Sequence, residues 1–422
     1  MQFDLLVIGS GPGGYKAALT AAHWGARVAL VEKDLPGGTC LNRGCVPKKA
    51  LLHLATLIED IANLQGRGLR GATYGDFRAA IEHKNSVIAG IRDNFPFWLR
   101  RLGVQVFTGH ARCLRAAPAG GYDVEVDTTD GPEPIRAERI IVATGSQPRA
   151  LASCPVDGDR ILHSNHFMTR AMDRPESILF VGGGAVGTEL GYLFHQFGSR
   201  VTIVEASERL LNKSYLPERA SHALERKFAR IGVRVRTGMT VAATRAAPGG
   251  VDVDFSDGSS EQFSQVLVAI GREPVSGELG LTQVGVNVTA DGFIETNEYL
   301  ETTARGIYAV GDVKPGPMTA NAALHDAKIA ATNAIKGNHT PTNYNQVPIV
   351  IDSALEIAAC GHFVGGQAPA LGVAAVLRRQ LGLRAHHQRP RLGVGPHRAL
   401  YVVLVALEHI GALRGLQAGP EE

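Results

Sequence analysis

Two stretches of this chain repeat one pattern at a fixed interval, and nothing else in the sequence limits the fold as tightly. Asp4 to Ile8 is an apolar run suited to a buried parallel strand, and it feeds Gly9-Ser10-Gly11-Pro12-Gly13-Gly14, a G-x-G-x-x-G with glycines at 9, 11 and 14. A helix of small residues, Tyr15 to Trp24, follows, and then a second strand, Arg27 to Val31, that ends on Glu32. In that context the first glycine permits a tight turn, the second lets backbone approach a pyrophosphate, and the third allows close helix packing. The terminal acid accepts ribose hydroxyls. The pattern recurs: Ile178 to Val181 lead into Gly182-Gly183-Gly184-Ala185-Val186-Gly187, a helix follows, and Arg200 to Val204 end on Glu205. Gly182, Gly184, Gly187 and Glu205 each lie 173 residues after Gly9, Gly11, Gly14 and Glu32. Register kept over a whole unit predicts two Rossmann folds in one α/β chain.

Two dinucleotide sites in one protein suggest two electron carriers exchanging reducing equivalents. At the second site the carboxylate of Glu205 favours NAD, because it bonds a free 2′-hydroxyl and repels a 2′-phosphate. Arg200 and Arg209 are close in sequence, but each also reads as an ordinary strand-start or surface residue.

Between the first unit and the second stands Gly37-Gly38-Thr39-Cys40-Leu41-Asn42-Arg43-Gly44-Cys45-Val46-Pro47-Lys48-Lys49. It leads into an apolar segment, Ala50 to Ile61, that reads as a helix. A thiol at a helix N-terminus feels the positive end of the dipole, which favours thiolate. Pro47 falls where a first-turn proline loses no hydrogen bond, and the spacing permits a small-loop disulfide. A metal site or two inert core thiols are the alternatives. Zinc sites bring a second Cys/His cluster at ligand spacing, whereas Cys113, Cys154 and Cys360 are scattered singly. The pair is therefore read as redox-active, with no metal.

Composition narrows the rest. A net charge of +3 over 422 residues, without a basic-aromatic stripe, does not point to nucleic acid. The longest apolar run, Ala399 to Leu407, is far short of the roughly 20 residues a membrane span needs. Met1-Gln2-Phe3-Asp4 runs directly into a strand, so no signal peptide is expected. Five cysteines in so long a chain suit a reducing cytoplasm better than a disulfide scaffold.

The remaining elements follow the two units. Helical stretches are expected over Ala50 to Leu64 and Asp76 to Arg101, and short strands near Val104 to Thr108 and Tyr122 to Asp127. Arg139 to Ala143 ends in Thr144-Gly145-Ser146, an exit from the first domain. Val266 to Ile270 ends in Gly271-Arg272, an exit from the second. Gly306 to Asp312 is a third strand ending in Gly-Asp, ahead of a helix from Ala320 to Ile335.

Together these motifs resemble the FAD-dependent pyridine nucleotide–disulfide oxidoreductases over residues 1–361, and most closely the dihydrolipoyl dehydrogenase branch. The resemblance rests on Gly9-x-Gly11-x-x-Gly14, the cysteine motif through Lys49, Ala143-Thr144-Gly145, Gly182 to Glu189, Gly271-Arg272 and Gly311-Asp312. It implies an FAD domain (1–148, returning at 274–344) split by an inserted NAD domain (149–273), then the opening of an α+β dimerisation domain from 345. It also implies roles. Cys40 would be the interchange thiol and Cys45 the thiolate against the flavin. Lys49 would approach the flavin and pair with Glu189. Taken alone, Lys49 reads as a solvated lysine and Glu189 as a surface acid. Glu32, Lys33, Gly38, Thr39, Ala111, Thr144, Gly145, Asp312 and Ala320 would hold FAD, with Asp312 on the ribityl hydroxyls. Gly182, Gly184, Gly187, Glu205 and Gly271 would hold NAD. The partner would be a dithiol, either a small molecule or a lipoyl domain, and the family is homodimeric.

After Gly361 the resemblance ends. Residues 362–422 contain no Lys, Asp, Asn, Ser, Thr, Cys, Met or Trp, a composition unlike a folded domain and like a GC-rich gene read out of frame. The resemblance implies a C-terminal His-Pro…Glu acid–base element supplied across the dimer, but no His-Pro dipeptide occurs in these 422 residues. His386, His387, His397 and His409 lack that pattern. The expectation is impaired turnover and a weakened dimer contact. The competing functions are another disulfide reductase, acting on glutathione-like disulfides or mercuric ion, and a catalytically silent FAD/NAD-binding protein.

Overall fold

The computed structural model describes residues 1–361, apart from 72, 73, 171 and 213–215, together with the backbone of the strand Val373–Leu377. Apart from that strand, the atypical tail with its four histidines, where the acid–base element was expected, lies outside the described residues.

The first sheet runs in the order Val104–Thr108, Val28–Glu32, Gln2–Ile8, Gly131–Val142, Tyr122–Thr128, His110–Ala116, and Ile307–Ala309 also pairs with Gly131–Val142. That strand serves two patterns. Its first half pairs antiparallel with Tyr122–Thr128, and its second half runs parallel to Gln2–Ile8 and Ile307–Ala309. The change follows the sequence: Pro132 and Pro134 stand in the meander, whereas Ile140, Ile141 and Val142 are buried on both faces, as a central parallel strand requires.

The second sheet is wholly parallel, in the order Arg234–Thr237, Arg200–Glu205, Ser177–Val181, Gln265–Val268, Ile161–His163. The 173-residue repeat extends to strand register: Leu5 pairs with Val28, and Ile178 with Val201. The chain leaves the first sheet along Ser146–Pro148 and returns along Arg272–Pro274, and these two segments form an antiparallel ribbon.

Between the sheets' glycine turns lies the cysteine helix, Cys45–Leu64, longer at its start than the apolar pattern alone predicts. Leu51, Leu52 and Ala55 are buried against Phe77, Phe167 and Phe194, each leucine stabilising the packing by about 1.5–3 kcal/mol. The expected helical stretch from Asp76 to Arg101 is two helices, Phe77–Arg92 and Phe95–Arg101, the first capped by Asp76, whose Oδ1 accepts from Ala79 N at 3.0 Å. Ile349–Asp352 and Glu356–Cys360 form a hairpin whose Ile351 and Ile357 join the same apolar cluster as the cysteine helix. Among the described residues no helix is long and apolar enough to cross a membrane.

Candidate active site

The glycine turns explain themselves sterically. A Cβ on Gly14 would stand 1.7 Å from the carbonyl oxygen of Gly9, and one on Gly187 would stand 1.9 Å from that of Gly182. The third glycine therefore lets each helix press on its own turn. Gly9 and Gly182 have φ of 100° and 111°, and a Cβ on either would strike a carbonyl of the neighbouring strand. Gly11 and Gly184 differ: both cap their helices, and a Cβ on either would meet nothing within 4 Å. Both helices, Pro12–His23 and Ala185–Gln196, begin without a capping side chain or a first-turn acid, so each N-terminus keeps its amides for an anion. Each turn thus presents an open cradle that fits a pyrophosphate.

The acids repeat as faithfully. Glu32 accepts from the amides of Ser10 (2.8 Å) and Asp34 (2.9 Å), and Glu205 from those of Gly183 (2.7 Å) and Ser207 (2.9 Å). Ser10 Oγ also donates to Glu32 at 2.6 Å and accepts from Gly37 N at 2.9 Å, which ties the cysteine loop to the first glycine turn. Gly38 lies so close that its Cβ would stand 2.7 Å from Gly11 Cα.

Cys40 and Cys45 are free thiols on different elements: Cys40 and Thr39 sit on a five-residue helix, Gly38–Asn42, while Cys45 is the first residue of the long helix. The Cys40 S–H donates to Cys45. That hydrogen bond, joined by the charges of Lys48 and Lys49, lowers Cys45 to about 7 against the opposing effect of burial. The same bond, burial and the neighbouring thiolate push Cys40 upward. Cys45 is therefore the thiolate and Cys40 the protonated partner. Tyr15 faces both; burial, then the charges of Cys40 and Cys45, pushes its hydroxyl up to about 12.

One expectation is corrected. Glu189 pairs with Lys48, not Lys49. On the helix, Lys48 and Lys49 fall three and four residues after Cys45, on either side of it, and Lys48 is the one turned toward the second unit. Lys49 is exposed but close enough for its charge to act on Cys45. Glu189 is 2% exposed and also accepts from Asp352 N at 3.0 Å, so it joins the cysteine helix to the C-terminal hairpin.

Thr144 Oγ1 donates to Val275 O at 2.5 Å, and Gly145 O accepts from Val275 N at 3.0 Å, so both fasten the exit strand to the returning one. Gly271, with φ of 120°, does the same from the other side, its carbonyl accepting from Arg149 N. Ala111 is buried in the strand His110–Ala116. Lys33 is held by Glu278 at 2.9 Å, a carboxylate it shares with His110. Asp312 is the middle residue of a 3₁₀ turn, Gly311–Val313, after Ile307–Ala309, and Ala320 is the first residue of the helix capped by Thr319. Lys48, Ser10 and Ser146 were not singled out by the sequence reading. Of these, only Lys48 carried a signal, its place beside Lys49 in the cysteine motif.

Two sheets, each built on a parallel glycine-turn unit, with a polarised dithiol beside the first turn define a disulfide oxidoreductase that uses two dinucleotides. Comparison places the chain: residues 3–327 match the family described as pyridine nucleotide-disulphide oxidoreductase, and the chain belongs to that family. It is 36% identical over 364 residues to dihydrolipoyl dehydrogenase of Chlamydia pneumoniae, spanning 85% of this chain and 76% of that one. Against the Chlorobaculum parvum enzyme of the same name it is 37% identical over 367 residues, with the same coverage. Among solved structures, LpdA of Mycobacterium tuberculosis superposes with a TM-score of 0.78 at 28% identity, over 85% of this chain and 78% of that one. The flavoprotein disulfide reductase RclA of Escherichia coli gives 0.75 at 25%, over 86% and 78%. The chain is an enzyme of the NAD-dependent disulfide oxidoreductase class, and the cofactors of its family are FAD and NAD.

Proposed function

We propose that this chain oxidises a dihydrolipoyl dithiol, free or carried on a lipoyl domain, with FAD at the first glycine turn and NAD at the second. The reading divides the chain into an FAD domain at 1–148 and 274–344, an NAD domain at 149–273, and the start of a dimerisation domain from 345. It sets the reaction in the cytoplasm. The observation that carries it is the hydrogen-bonded pair Cys40–Cys45, joined through Gly37 and Ser10 to an open pyrophosphate cradle.

Starting from the oxidised pair, one substrate thiolate attacks Cys40 Sγ, and the Cys40–Cys45 bond breaks to release Cys45 as thiolate. The second substrate thiolate then attacks the substrate sulfur of the mixed disulfide. That closes the oxidised substrate and frees Cys40, which takes up a proton. Lys48, Lys49 and the Cys40 S–H hold the negative charge on Cys45. A flavin held at the first turn would supply the two-electron chemistry that links this dithiol to NAD. Glu32 would hold the ribose hydroxyls and Asp312 the ribityl hydroxyls, and Glu205 favours NAD over a 2′-phosphorylated cofactor.

Anaerobic reduction with NADH tests the assignment: a long-wavelength thiolate–flavin absorbance is expected, and its absence overturns the redox-disulfide reading. Activity with lipoamide but not with glutathione or mercuric ion is the expected selectivity. The reading includes slow turnover, supported by the absence of a His-Pro dipeptide. A dihydrolipoamide rate equal to that of the relatives would refute that part and would also exclude the silent FAD/NAD-binding alternative.

A further inference from the structure

The ribbon that joins the two sheets carries a side-chain network that ends on Asp312. Arg272, on the returning strand, donates through Nε to Ser146 Oγ at 2.7 Å and through Nη2 to Ser146 O at 2.6 Å. Ser146, on the outgoing strand, donates through Oγ to Asp312 Oδ2 at 2.6 Å, and Arg272 Nε stands 3.9 Å from the same oxygen. The guanidinium thus grips one residue by both its side chain and its carbonyl, the two-point geometry that only arginine supplies. The hydroxyl, having accepted from Arg272, has its single proton left for Asp312 alone.

The charges facing Asp312 are Arg272 from the ribbon, Lys314 from its own turn and Asp326 from the helix Ala320–Lys336. Burial and Asp326 oppose its ionisation, while Ser146, Arg272 and Lys314 support it. Lys314 is committed elsewhere: it pairs with Asp326 at 3.3 Å and bonds Tyr344. Arg272 makes no closer ion pair than the one with Asp312 among the described residues.

We infer that Arg272 is a positioning residue for the flavin's polyol chain: through Ser146 it fixes the Asp312 carboxylate in the orientation that receives ribityl hydroxyls. Because Arg272 belongs to the strand coming back from the second sheet, flavin retention in the first sheet depends on that sheet's return. The inference rests on the FAD assignment proposed above.

The experiment compares FAD and ADP binding to apoprotein by flavin fluorescence and by calorimetry, for wild type, Arg272→Met, Arg272→Lys and Ser146→Ala. ADP shares the adenosine and pyrophosphate but lacks the polyol. Arg272→Met is expected to weaken FAD about tenfold, the scale of losing a charge-assisted bond, with ADP unchanged. Arg272→Lys should restore part of the loss, and Ser146→Ala should reproduce most of it. Unchanged FAD affinity in Arg272→Met overturns the inference, and so does an equal loss of FAD and ADP, which would mark a purely structural role. Should Arg272→Met fail to fold, Ser146→Ala and Arg272→Lys decide by the same FAD-to-ADP split. If wild type itself takes up no FAD, the cofactor assignment fails instead, so the two failures are distinguishable.

Discussion

Glu189, buried on the helix after the second glycine turn, closes an ion pair with the half-buried Lys48, one turn into the helix that Cys45 begins. Burial by itself would pull Lys48 down, but the Glu189 carboxylate, joined by the charges of Cys45 and Asp352, outweighs it and the net direction is upward. The pair fixes a cation beside a thiolate and, through Asp352 N, binds the C-terminal hairpin to the same carboxylate.

Removing the cation leaves a buried carboxylate uncompensated, so Lys48→Met should lose about 3 kcal/mol in urea unfolding. Lys49→Met, at an exposed position, should change stability by less than about 0.5 kcal/mol. Pairing Lys48→Met with Glu189→Met should recover most of the loss, because two apolar side chains can replace a buried ion pair. A double variant no more stable than the single one would show that the pair is not the source.

The thiols give a pH prediction with a definite sign. Cys45 is lowered to about 7, so its thiolate contributes stability above its ordinary range, and that contribution is lost as pH falls through about 7. Cys40 is displaced upward and opposes folding once pH rises past the ordinary thiol range. Thiolate absorbance of the reduced protein should therefore titrate in two well-separated steps, the first near pH 7. Cys40→Ala removes the donor and should move that first step upward. An unchanged midpoint would assign the lowering to the lysines alone.

Much of this was legible because backbone requirements dictate residue type. Gly9, Gly14 and Glu32 are set by a turn, a helix contact and two amides, and the same demands recur at Gly182, Gly187 and Glu205. Pairing across the fold left fainter marks. Lys48 and Lys49 flank Cys45 on one helix, and which of them meets Glu189 is decided by how that helix packs on the second unit, which one-dimensional spacing does not encode. Ser10 and Ser146 are ordinary small polar residues in sequence. Their partners, Gly37 and Arg272, lie 27 and 126 positions away.

The glycines separate steric from ligand-binding roles. Gly14→Ala forces a Cβ to 1.7 Å from a backbone carbonyl and should destabilise the fold by about 3 kcal/mol or more, with FAD lost as well. Gly11→Ala meets nothing within 4 Å and has ordinary helix-entry backbone, so its melting temperature should hold while FAD content falls. Gly184→Ala should likewise spare stability and reduce NADH binding instead. Thermal unfolding alongside bound-flavin absorbance checks the contrast, and a Gly11→Ala protein with full FAD would show that the first cradle is not the pyrophosphate site.

The Gly-Asp turn rests on a second ion pair. Asp326 accepts from Lys314 (3.3 Å), from the Tyr344 hydroxyl (2.7 Å) and from the amide of Gly311 (3.1 Å), the residue just before Asp312. Lys314 and Asp326 are 3% and 1% exposed, so neither has water to replace its partner. Asp326→Asn should therefore lose about 3–5 kcal/mol, as one partner of a buried pair, and should weaken FAD by loosening Gly311. Tyr344→Phe removes two charge-assisted hydrogen bonds, the one donated to Asp326 and the one accepted from Lys314, and should lose at least about 1.5–3 kcal/mol. The two are coupled through one carboxylate, so the double variant should lose less than the sum of the singles, which urea unfolding of all four proteins measures. Strict additivity would mean that Tyr344 and Asp326 support the turn independently.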